Sequence, residues 1–350
     1  GYGAIGPSIV DPRTGEILDA DILIEANMVL GFKRDWRTKV SPGVAIQEML
    51  AASPEELAFA AAGGEVASLG AALAAQGATL RALLVAEGEI APGEPVPMEY
   101  VGQALKWVTM HEVGHTLGLR HNFRASVDTP IEKLTDPAWA EERGVFSSVM
   151  DYPSVNLEAY GTGGYFYNPG VGSYDRWAIA YGYTPDAARA AELAREAARP
   201  GHAYGTDEDA RGPGALDPTV NVYDLGADPL AWGRMRADRI AKLWPTLADH
   251  VLTDDSRYAD LTDAYRTLLG EYSRALAAAV KYIGGQYQYR DHVGDPDGRA
   301  PFVNVPKAKQ QEALALLRTH AFDEAAFALP RDVLARFGAN RWSHWGENNT

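Results

Sequence analysis

Residues 111–121 read HEVGHTLGLRH, which is the most specific pattern in the chain for both its fold class and its function. On an α-helix, positions i and i+4 lie on one face, so His111 and His115 project together and can share one metal ion. Glu112 lies one residue further round the helix, where it can contact a water on the metal rather than the metal itself. The segment therefore predicts a helix that carries two metal ligands and a carboxylate.

The bend after this helix adds a third ligand. Gly118 is placed to end the helix, because glycine adopts the left-handed conformation that residues with a Cβ adopt reluctantly. The turn then brings His121 back towards the first two histidines. Three neutral imidazoles leave the fourth tetrahedral position for water, which is the arrangement of a catalytic zinc site rather than a structural one. Only 8 of the 350 residues are histidines, which argues against an accidental spacing.

The ligand set predicts hydrolysis assisted by one catalytic zinc ion. Zinc lowers the pKa of its bound water from about 16 to about 7 and polarises a carbonyl oxygen. Glu112 can accept the proton of that water during its attack and deliver it to the departing amine. These roles predict cleavage of an amide bond without a covalent intermediate.

A second motif, SVMDYP, follows at residues 148–153. The long HExxHxxGxxH motif followed by a methionine-containing turn is typical of metzincins, and the chain resembles that clan at its motif residues and at Met150. The resemblance implies that Met150 forms an apolar floor beneath the histidines. It also implies that Tyr152 matches the tyrosine that astacin-like and serralysin-like enzymes place near zinc to stabilise the oxyanion. Pro153 departs from those two groups, and a packed structural tyrosine is the alternative.

Within the metzincins, the chain is most similar to the large bacterial Met-zincin family of zinc-dependent metalloproteases. The similarity is carried by several segments: GPSIVDPRTGEILDA (6–20), HEVGHTLGLRHNF (111–123), SVMDYP (148–153), YDRWAIAYGY (174–183), GGQY (284–287) and PFVNVPKAKQQEALALL (301–317). Members are typically longer, exported, and carry extra N-terminal regions. The resemblance therefore implies a secreted or periplasmic bacterial endopeptidase.

The same resemblance implies how substrate binds. The strand around residues 17–26 is expected to be the edge to which an extended peptide adds as another strand. The loop GTGGYFYNPGVG (161–172) is a candidate wall of the pocket beyond the scissile bond, and a flexible connection is the alternative.

These patterns predict an α+β fold in two domains. A metzincin-like catalytic domain, with a small mixed sheet and the active-site helix at about 98–117, is expected over residues 1–183. Within it, turn chemistry predicts a hairpin at 8–30, and residues 44–97 form a helical insertion with a proline-rich connector. Residues 184–350 are expected to form a mainly α-helical domain, because helical periodicity dominates at about 229–249, 256–283, 307–320 and 330–337.

Composition excludes several classes of protein. Cysteine is absent, so disulfide frameworks and thiolate zinc sites are excluded. The net charge of −15 argues against nucleic acid or anionic membrane as the main partner. No apolar run is long enough to predict a membrane span. The oligomeric state is not indicated by the sequence.

Three acidic clusters are candidate calcium sites: Asp207 to Asp209, Asp224 to Asp228 and Asp295 to Asp297. None has EF-hand spacing, and solvated loops are the preferred interpretation. Asp151 and Asn122 flank the two site motifs and are candidates to support the metal ligands.

A different class of function keeps the zinc without the chemistry. The protein would then be a zinc-bound scaffold or a peptide-binding module, with the helical C-terminal half as its functional part. The presence of Glu112 disfavours this alternative, because a site that has lost its activity can lose its base without losing zinc. A narrow processing protease or an exopeptidase is a variant of the enzymatic hypothesis.

Overall fold

The computed structural model describes residues 4–24, 68–212, 214–254 and 256–339, and every structural statement below refers to these residues. The predicted α+β class is confirmed. The strands are β1 (Ala4–Ile5), β2 (Ser8–Val10), β3 (Ile17–Ala20), β4 (Leu23–Ile24), β5 (Gln286–Gln288) and β6 (Phe302–Asn304). In the described ranges they form three separate antiparallel pairs, β1–β4, β2–β3 and β5–β6, rather than one mixed sheet.

Helices make up most of the structure. In chain order they are α1 (Ser68–Ala86), α2 (Met98–Thr116), α3 (Pro137–Arg143), α4 (Ser173–Tyr183), α5 (Ala187–Ala194), α6 (Asp207–Ala210), α7 (Pro229–Ala241), α8 (Leu247–Val251), α9 (Tyr258–Tyr282), α10 (Lys307–Leu317) and α11 (Arg331–Leu334). Short 3₁₀ turns lie at Ala125–Asp128, Ile131–Lys133, Leu157–Ala159 and Glu324–Phe327, and one π turn, Arg318–Phe322, follows α10. Each helix of the described chain is too short or too polar to cross a membrane.

The predicted N-terminal hairpin is present as far as residue 24. The turn between β2 and β3 is closed by Asp11, whose carbonyl accepts from the backbone N–H of Gly15 at 2.8 Å. Gly15 has a φ of 75°, the left-handed conformation that the turn requires. The rest of the expected hairpin, 25–30, lies outside the described residues, as do residues 44–67 of the expected helical insertion.

Helix α2 forms as its sequence predicts, within one residue of the expected end. Pro97 precedes it with a φ of −57°, suited to the start of a helix. The buried face carries Tyr100, Ala104, Trp107 and Val108, which recur at intervals of three or four residues. Burying this stripe fixes the rotation of the helix about its axis. It therefore also fixes the direction in which the next turns project their histidines.

The C-terminal half packs around the long helix α9. Its apolar stripe, which includes Leu261, Leu268 and Tyr272, contacts α7, α8, α10 and α1. One continuous cluster of buried side chains joins α1 and α2 with α7, α9 and α10. The division into domains at residues 183 and 184 stays a prediction.

Two features of this half differ from the sequence expectation. The helix expected at 229–249 is split, because α7 ends at Ala241 and α8 begins only at Leu247. The strand pair β5–β6 was not predicted, since each strand has only three residues and lacks a buried alternating face. The pair is held partly from outside, because the carbonyl of Leu216 accepts from the N–H of Gln286 at 3.1 Å.

Candidate metal centre

The three predicted ligands converge. The ring centroids of His111 and His115 are 4.7 Å apart, those of His115 and His121 are 4.9 Å apart, and those of His111 and His121 are 5.4 Å apart. One ring nitrogen of each lies within 4.8 Å of the others. Among the described residues, this is the single group of three or more such side chains that can hold a metal ion.

The second nitrogen of each ring faces a hydrogen-bond acceptor. Nδ1 of His111 lies 2.8 Å from the carbonyl of Val149, and Nδ1 of His115 lies 3.0 Å from the carbonyl of Leu119. A carbonyl can only accept, so both Nδ1 atoms carry the hydrogen and donate it. In the neutral rings Nε2 then has the lone pair that a metal ligand needs.

The Nε2 atoms of His111 and His115 are 3.1 Å apart. Two lone pairs at this distance repel unless a cation or a shared proton lies between them. Nitrogen ligands at about 2.0–2.1 Å from a tetrahedral zinc are separated by about 3.4 Å, so the pair fits a zinc site. Burial, followed by the charges of His115 and His121, holds the pKa of His111 well below its ordinary value, which favours the neutral ligand.

The end of α2 places the third ligand. Gly118 has a φ of 85°, its N–H donates to the carbonyl of His115 at 2.9 Å, and the N–H of Leu119 donates to the carbonyl of Gly114 at 3.0 Å. This pair of bonds is the Schellman motif, which satisfies carbonyls at the helix end and reverses the chain. The expected role of Gly118 is therefore present, and it returns His121 to the other rings.

Glu112 lies on the buried part of the same helix, with 4% of its surface exposed. The chain after β1 crosses the helix at this turn, since a Cβ added at Gly6 would overlap the backbone carbonyl oxygen of Glu112. The N-terminal strands therefore border the turn of α2 that carries the candidate base.

Met150 lies fully buried against this helix. Its Sδ occupies the space that a side chain at Gly114 would need, so Gly114 allows the methionine to reach the helix next to His115. The preceding carbonyl, of Val149, accepts from Nδ1 of His111 and from Nε1 of Trp107 at 3.0 Å. The turn and the helix are thus joined by packing and by hydrogen bonds.

Asp175, near the start of α4, holds this turn in shape. Its carboxylate accepts from Oγ of Ser148 at 2.6 Å and from the backbone N–H groups of Val149 and Gly172, each at 2.8 Å. Sequence reasoning missed this residue, although it lies in the YDRW segment. An acidic residue in the first turn of a predicted helix was the available signal.

Tyr152 lies beside the histidines. Its ring centroid is 5.4 Å from that of His111 and 4.9 Å from that of His121, and the residue is 2% exposed. This location is compatible with both the catalytic and the packed structural interpretation.

A segment from the C-terminal half reaches the third ligand. Nδ1 of His121 lies 3.0 Å from Oδ2 of Asp207, in the first turn of α6. Burial alone would raise the pKa of Asp207, but the hydrogen bond and charge of His121 lower it below its ordinary value. The acidic cluster 207–209 therefore lies in a short helix and contacts a predicted metal ligand, instead of forming a solvated loop. The available signal was the spacing of Thr206 and Asp209, a helix-capping pattern.

Asn122 connects this segment to the ligand bend. Its Nδ2 donates to the carbonyl of Ala203 at 2.9 Å, and its Oδ1 accepts from the N–H of Gly205 at 3.2 Å. The N–H of Phe123 donates to the carbonyl of Gly205 at 2.7 Å. Asn122 thus ties the residue after His121 to the backbone of the segment 203–205.

A second loop of the C-terminal half carries Tyr223, which has the left-handed φ of 63° that is rare for an aromatic residue. Its N–H donates to the carbonyl of Tyr152 at 2.7 Å, and the two rings are stacked at 6.5 Å. The guanidinium of Arg274 lies 5.4 Å from the Tyr223 ring. Strained backbone of this kind persists only where surrounding contacts hold it. No sequence signal predicted this conformation.

Asp151, in the turn around Met150, and Asp224, in the loop that carries Tyr223, are joined through a shared partner. Ser126 connects them, since its N–H donates to Asp151 at 3.1 Å and its Oγ donates to Asp224 at 3.1 Å. Burial, followed by the charge of Asp224, raises the pKa of Asp151 well above its ordinary value. Burial raises the pKa of Asp224 to about 6, against the opposing hydrogen bonds from Asn221 and Ser126.

The loop 161–172 packs on α2 through its middle. Tyr167 is fully buried with its ring stacked on Trp107 at 5.1 Å, and the N–H of Phe166 donates to Oε1 of Gln103 at 2.7 Å. These contacts make it an ordered part of the core around the helix. Its role as a pocket wall stays a prediction.

Comparison with known protein families gives one result. The family described as Met-zincin matches residues 93–348, which include the histidine motif, the SVMDYP turn and the segments at 203–224. No curated protein and no solved structure matches the chain.

Proposed function

The chain belongs to the Met-zincin family, which implies a zinc metalloprotease, and we propose that it is an endopeptidase that hydrolyses peptide bonds with one catalytic zinc ion. The observation that carries the proposal is the convergence of three imidazoles whose Nδ1 atoms all face acceptors. This arrangement leaves three Nε2 atoms for one ion and supports His111, His115 and His121 as the zinc ligands.

A zinc ion held by His111, His115 and His121 would supply Lewis acidity, which would make a water nucleophilic at neutral pH and polarise the scissile carbonyl. Glu112 takes the proton of that water as its oxygen attacks the carbonyl carbon. The same carboxyl then donates the proton to the amine as the carbon–nitrogen bond breaks, which returns Glu112 to its ionised form. Its position directly after His111 on the same helical turn supports this role, because a general base must lie within reach of the proton that it takes.

Met150 and Tyr152 complete the proposed centre. Met150 serves as the apolar floor of the metzincin turn, supported by its burial against Gly114. Tyr152 contacts the developing oxyanion during attack, supported by the position of its ring beside those of His111 and His121. Replacing Tyr152 with Phe retains the packing and removes only the hydroxyl, so kcat measures this role.

The proposed substrate is a peptide or protein segment in extended form. It adds as a strand at residues 17–26, whose described part borders the site through β1 and Gly6. The loop 161–172 forms the wall of the pocket beyond the scissile bond. On family resemblance, we propose that the protein acts outside the cytoplasm, secreted or in the periplasm.

The test is a peptide-library digestion read by mass spectrometry. Zinc-loaded protein is expected to cleave internal bonds, a chelator to remove the activity, and added zinc to restore it. Glu112→Gln is expected to lower hydrolysis by about 10²–10⁴-fold with zinc content unchanged. Cleavage confined to chain ends would point to an exopeptidase.

The scaffold alternative makes the opposite forecast. A zinc-bound peptide-binding module would bind peptides equally well before and after the Glu112→Gln substitution, and neither protein would cleave them. Full zinc occupancy without hydrolysis of any library peptide would favour that alternative over the endopeptidase.

A further inference from the structure

We infer that Asp207 is a positioning residue of the metal centre, whose carboxylate fixes the ring orientation and tautomer of His121. The inference rests on the proposed function only in treating the three histidines as metal ligands. It does not depend on which bond, if any, the protein cleaves.

The three ligands differ in what holds their Nδ1 atoms. His111 and His115 donate to the neutral carbonyls of Val149 and Leu119. His121 instead faces a carboxylate, with Nδ1 3.2 Å from Oδ1 and 3.0 Å from Oδ2 of Asp207. Hydrogen bonds to ionised acceptors are about twice as strong as neutral ones, and a carboxylate also raises the donor strength of the imidazole.

His121 needs this support more than the other two. It lies beyond the end of α2, so no helical backbone sets its side-chain direction. Its ring stacks on Phe123 at 5.1 Å, which restricts tilt but does not decide which nitrogen faces inward. The carboxylate fixes the tautomer of His121, because an acceptor at Nδ1 requires the hydrogen on that nitrogen and leaves Nε2 for the metal.

Asp207 accepts from a second donor, since Oγ1 of Thr206 lies 3.3 Å from its Oδ2, and the two residues that follow it are anchored as well. The N–H of Thr206 donates to Asp209 at 2.9 Å at the start of α6, and Asp209 accepts from Arg290 at 2.7 Å. Arg120 lies 3.8 Å from Asp207 and binds the neighbouring Glu208 at 2.8 Å. A carboxylate with so many fixed neighbours loses little conformational entropy when it accepts from His121.

Asp207 does not act as a fourth ligand in this arrangement. The two nitrogens of an imidazole point away from each other, so a carboxylate on Nδ1 lies on the far side of the His121 ring from an ion on Nε2. The residue therefore acts through His121, which is why it is a positioning residue and not a catalytic one.

The test measures zinc affinity by competition with a chromogenic chelator, without any peptide substrate. Asp207→Ala is expected to weaken zinc binding by about 10–100-fold. Asp207→Asn keeps a neutral acceptor and is expected to lose less. Glu208→Gln is the matched control, because Glu208 is exposed, adjacent, and binds the same arginine, and it is expected to retain wild-type affinity.

A spectroscopic readout separates positioning from general stability. The cobalt-loaded protein is expected to show a changed visible d–d spectrum in Asp207→Ala and an unchanged one in Glu208→Gln. Wild-type zinc affinity and spectrum in a folded Asp207→Ala protein would overturn the inference, as would equal losses in the Glu208→Gln control. If Asp207→Ala does not fold, the same two measurements on Asp207→Asn decide. A protein without peptidase activity can still pass this test, so the two proposals fail separately.

Discussion

The first two histidines and the third reach the metal centre by different means. His111 and His115 are separated by one turn of α2, whose buried stripe orients them together. His121 follows a left-handed glycine and is supported by Asp207, from a segment 86 residues further along the chain. Local helix geometry thus places the first two candidate ligands, whereas the position of the third depends on long-range contacts.

The surroundings of His111 and His115 also differ from those of His121. Beneath the helix pair lies the turn around Met150, held by Asp175. Beside His121 and Tyr152 lie two loops of the C-terminal half, one of which includes the strained Tyr223. The helical half therefore contributes residues that contact the candidate metal centre, and truncating the chain at residue 183 would remove Asp207 and Tyr223 together.

The largest expected effect compares His115→Ala with His121→Ala. Each is expected to lower hydrolysis by about 10³-fold or more, because metal contributes several kcal/mol to transition-state stabilisation. Excess zinc is expected to restore more metal binding to His121→Ala than to His115→Ala, because His121→Ala keeps both histidines of α2. His292→Ala, at an exposed position, is the control and should behave as wild type. Equal restoration of zinc binding in the two variants would contradict the distinction between the locally placed pair and His121.

Asp175→Asn probes the turn that supports His111 and His115 on α2. The substitution removes the charge and replaces one accepting oxygen with an NH2 group, so at least one of the three donors loses its acceptor and we expect a loss of about 3 kcal/mol in the free energy of unfolding. Urea unfolding of the chelator-treated protein measures it. Asp249→Asn, at an exposed ion pair, should change the value by less than about 1 kcal/mol. Similar values for both variants would contradict the assigned role.

Gly118→Ala tests the bend between the two kinds of ligand. Alanine at a φ of 85° costs about 1–2 kcal/mol, and the strain is expected to lower zinc affinity as well. Gly102→Ala on the same helix is the control, since its side is exposed and open, and it should stabilise by about 0.5–1 kcal/mol. Thermal unfolding and zinc competition give both numbers. Destabilisation by both substitutions would indicate a cause other than backbone conformation.

The smallest expected effect lies where the two supports meet, at Asp151 and Asp224. Burial raises the pKa of Asp224 to about 6, so the folded state binds more protons than the unfolded state between about pH 4 and 6. Stability therefore falls as pH rises through this window and levels off above the folded-state pKa, with a loss of about 1 kcal/mol between pH 5 and 7. Asp224→Asn mimics the protonated carboxyl and should flatten this dependence in urea unfolding without metal. An unchanged slope would show that Asp224 does not titrate in this range.

Much of the site was predictable because its chemistry is local. Two histidines four residues apart, a carboxylate between them and a glycine at the helix end specify their arrangement through helix geometry alone. The predicted span of α2 agrees with the structure within one residue for the same reason. The resemblance to metzincins also pointed to Met150, which is buried against Gly114 of the same helix.

What supports these residues depended on long-range contacts. Sequence patterns place Asp207 in an acidic cluster and assign no role to Asp175 or Tyr223. The short strands β5 and β6 gave no pattern, because their partners lie outside their own segments.

Residue spacing alone predicts the candidate ligands and the candidate base, because helix geometry converts spacing directly into proximity, and the pattern of predicted elements indicates the α+β class. Only the tertiary structure decided which nitrogen each histidine offers and which segments of the C-terminal half complete the site. The physical reason is that tautomer and ring orientation are set by the acceptor on the far side of each ring. For His121, that acceptor is supplied by a part of the chain whose approach is fixed by packing and not by spacing.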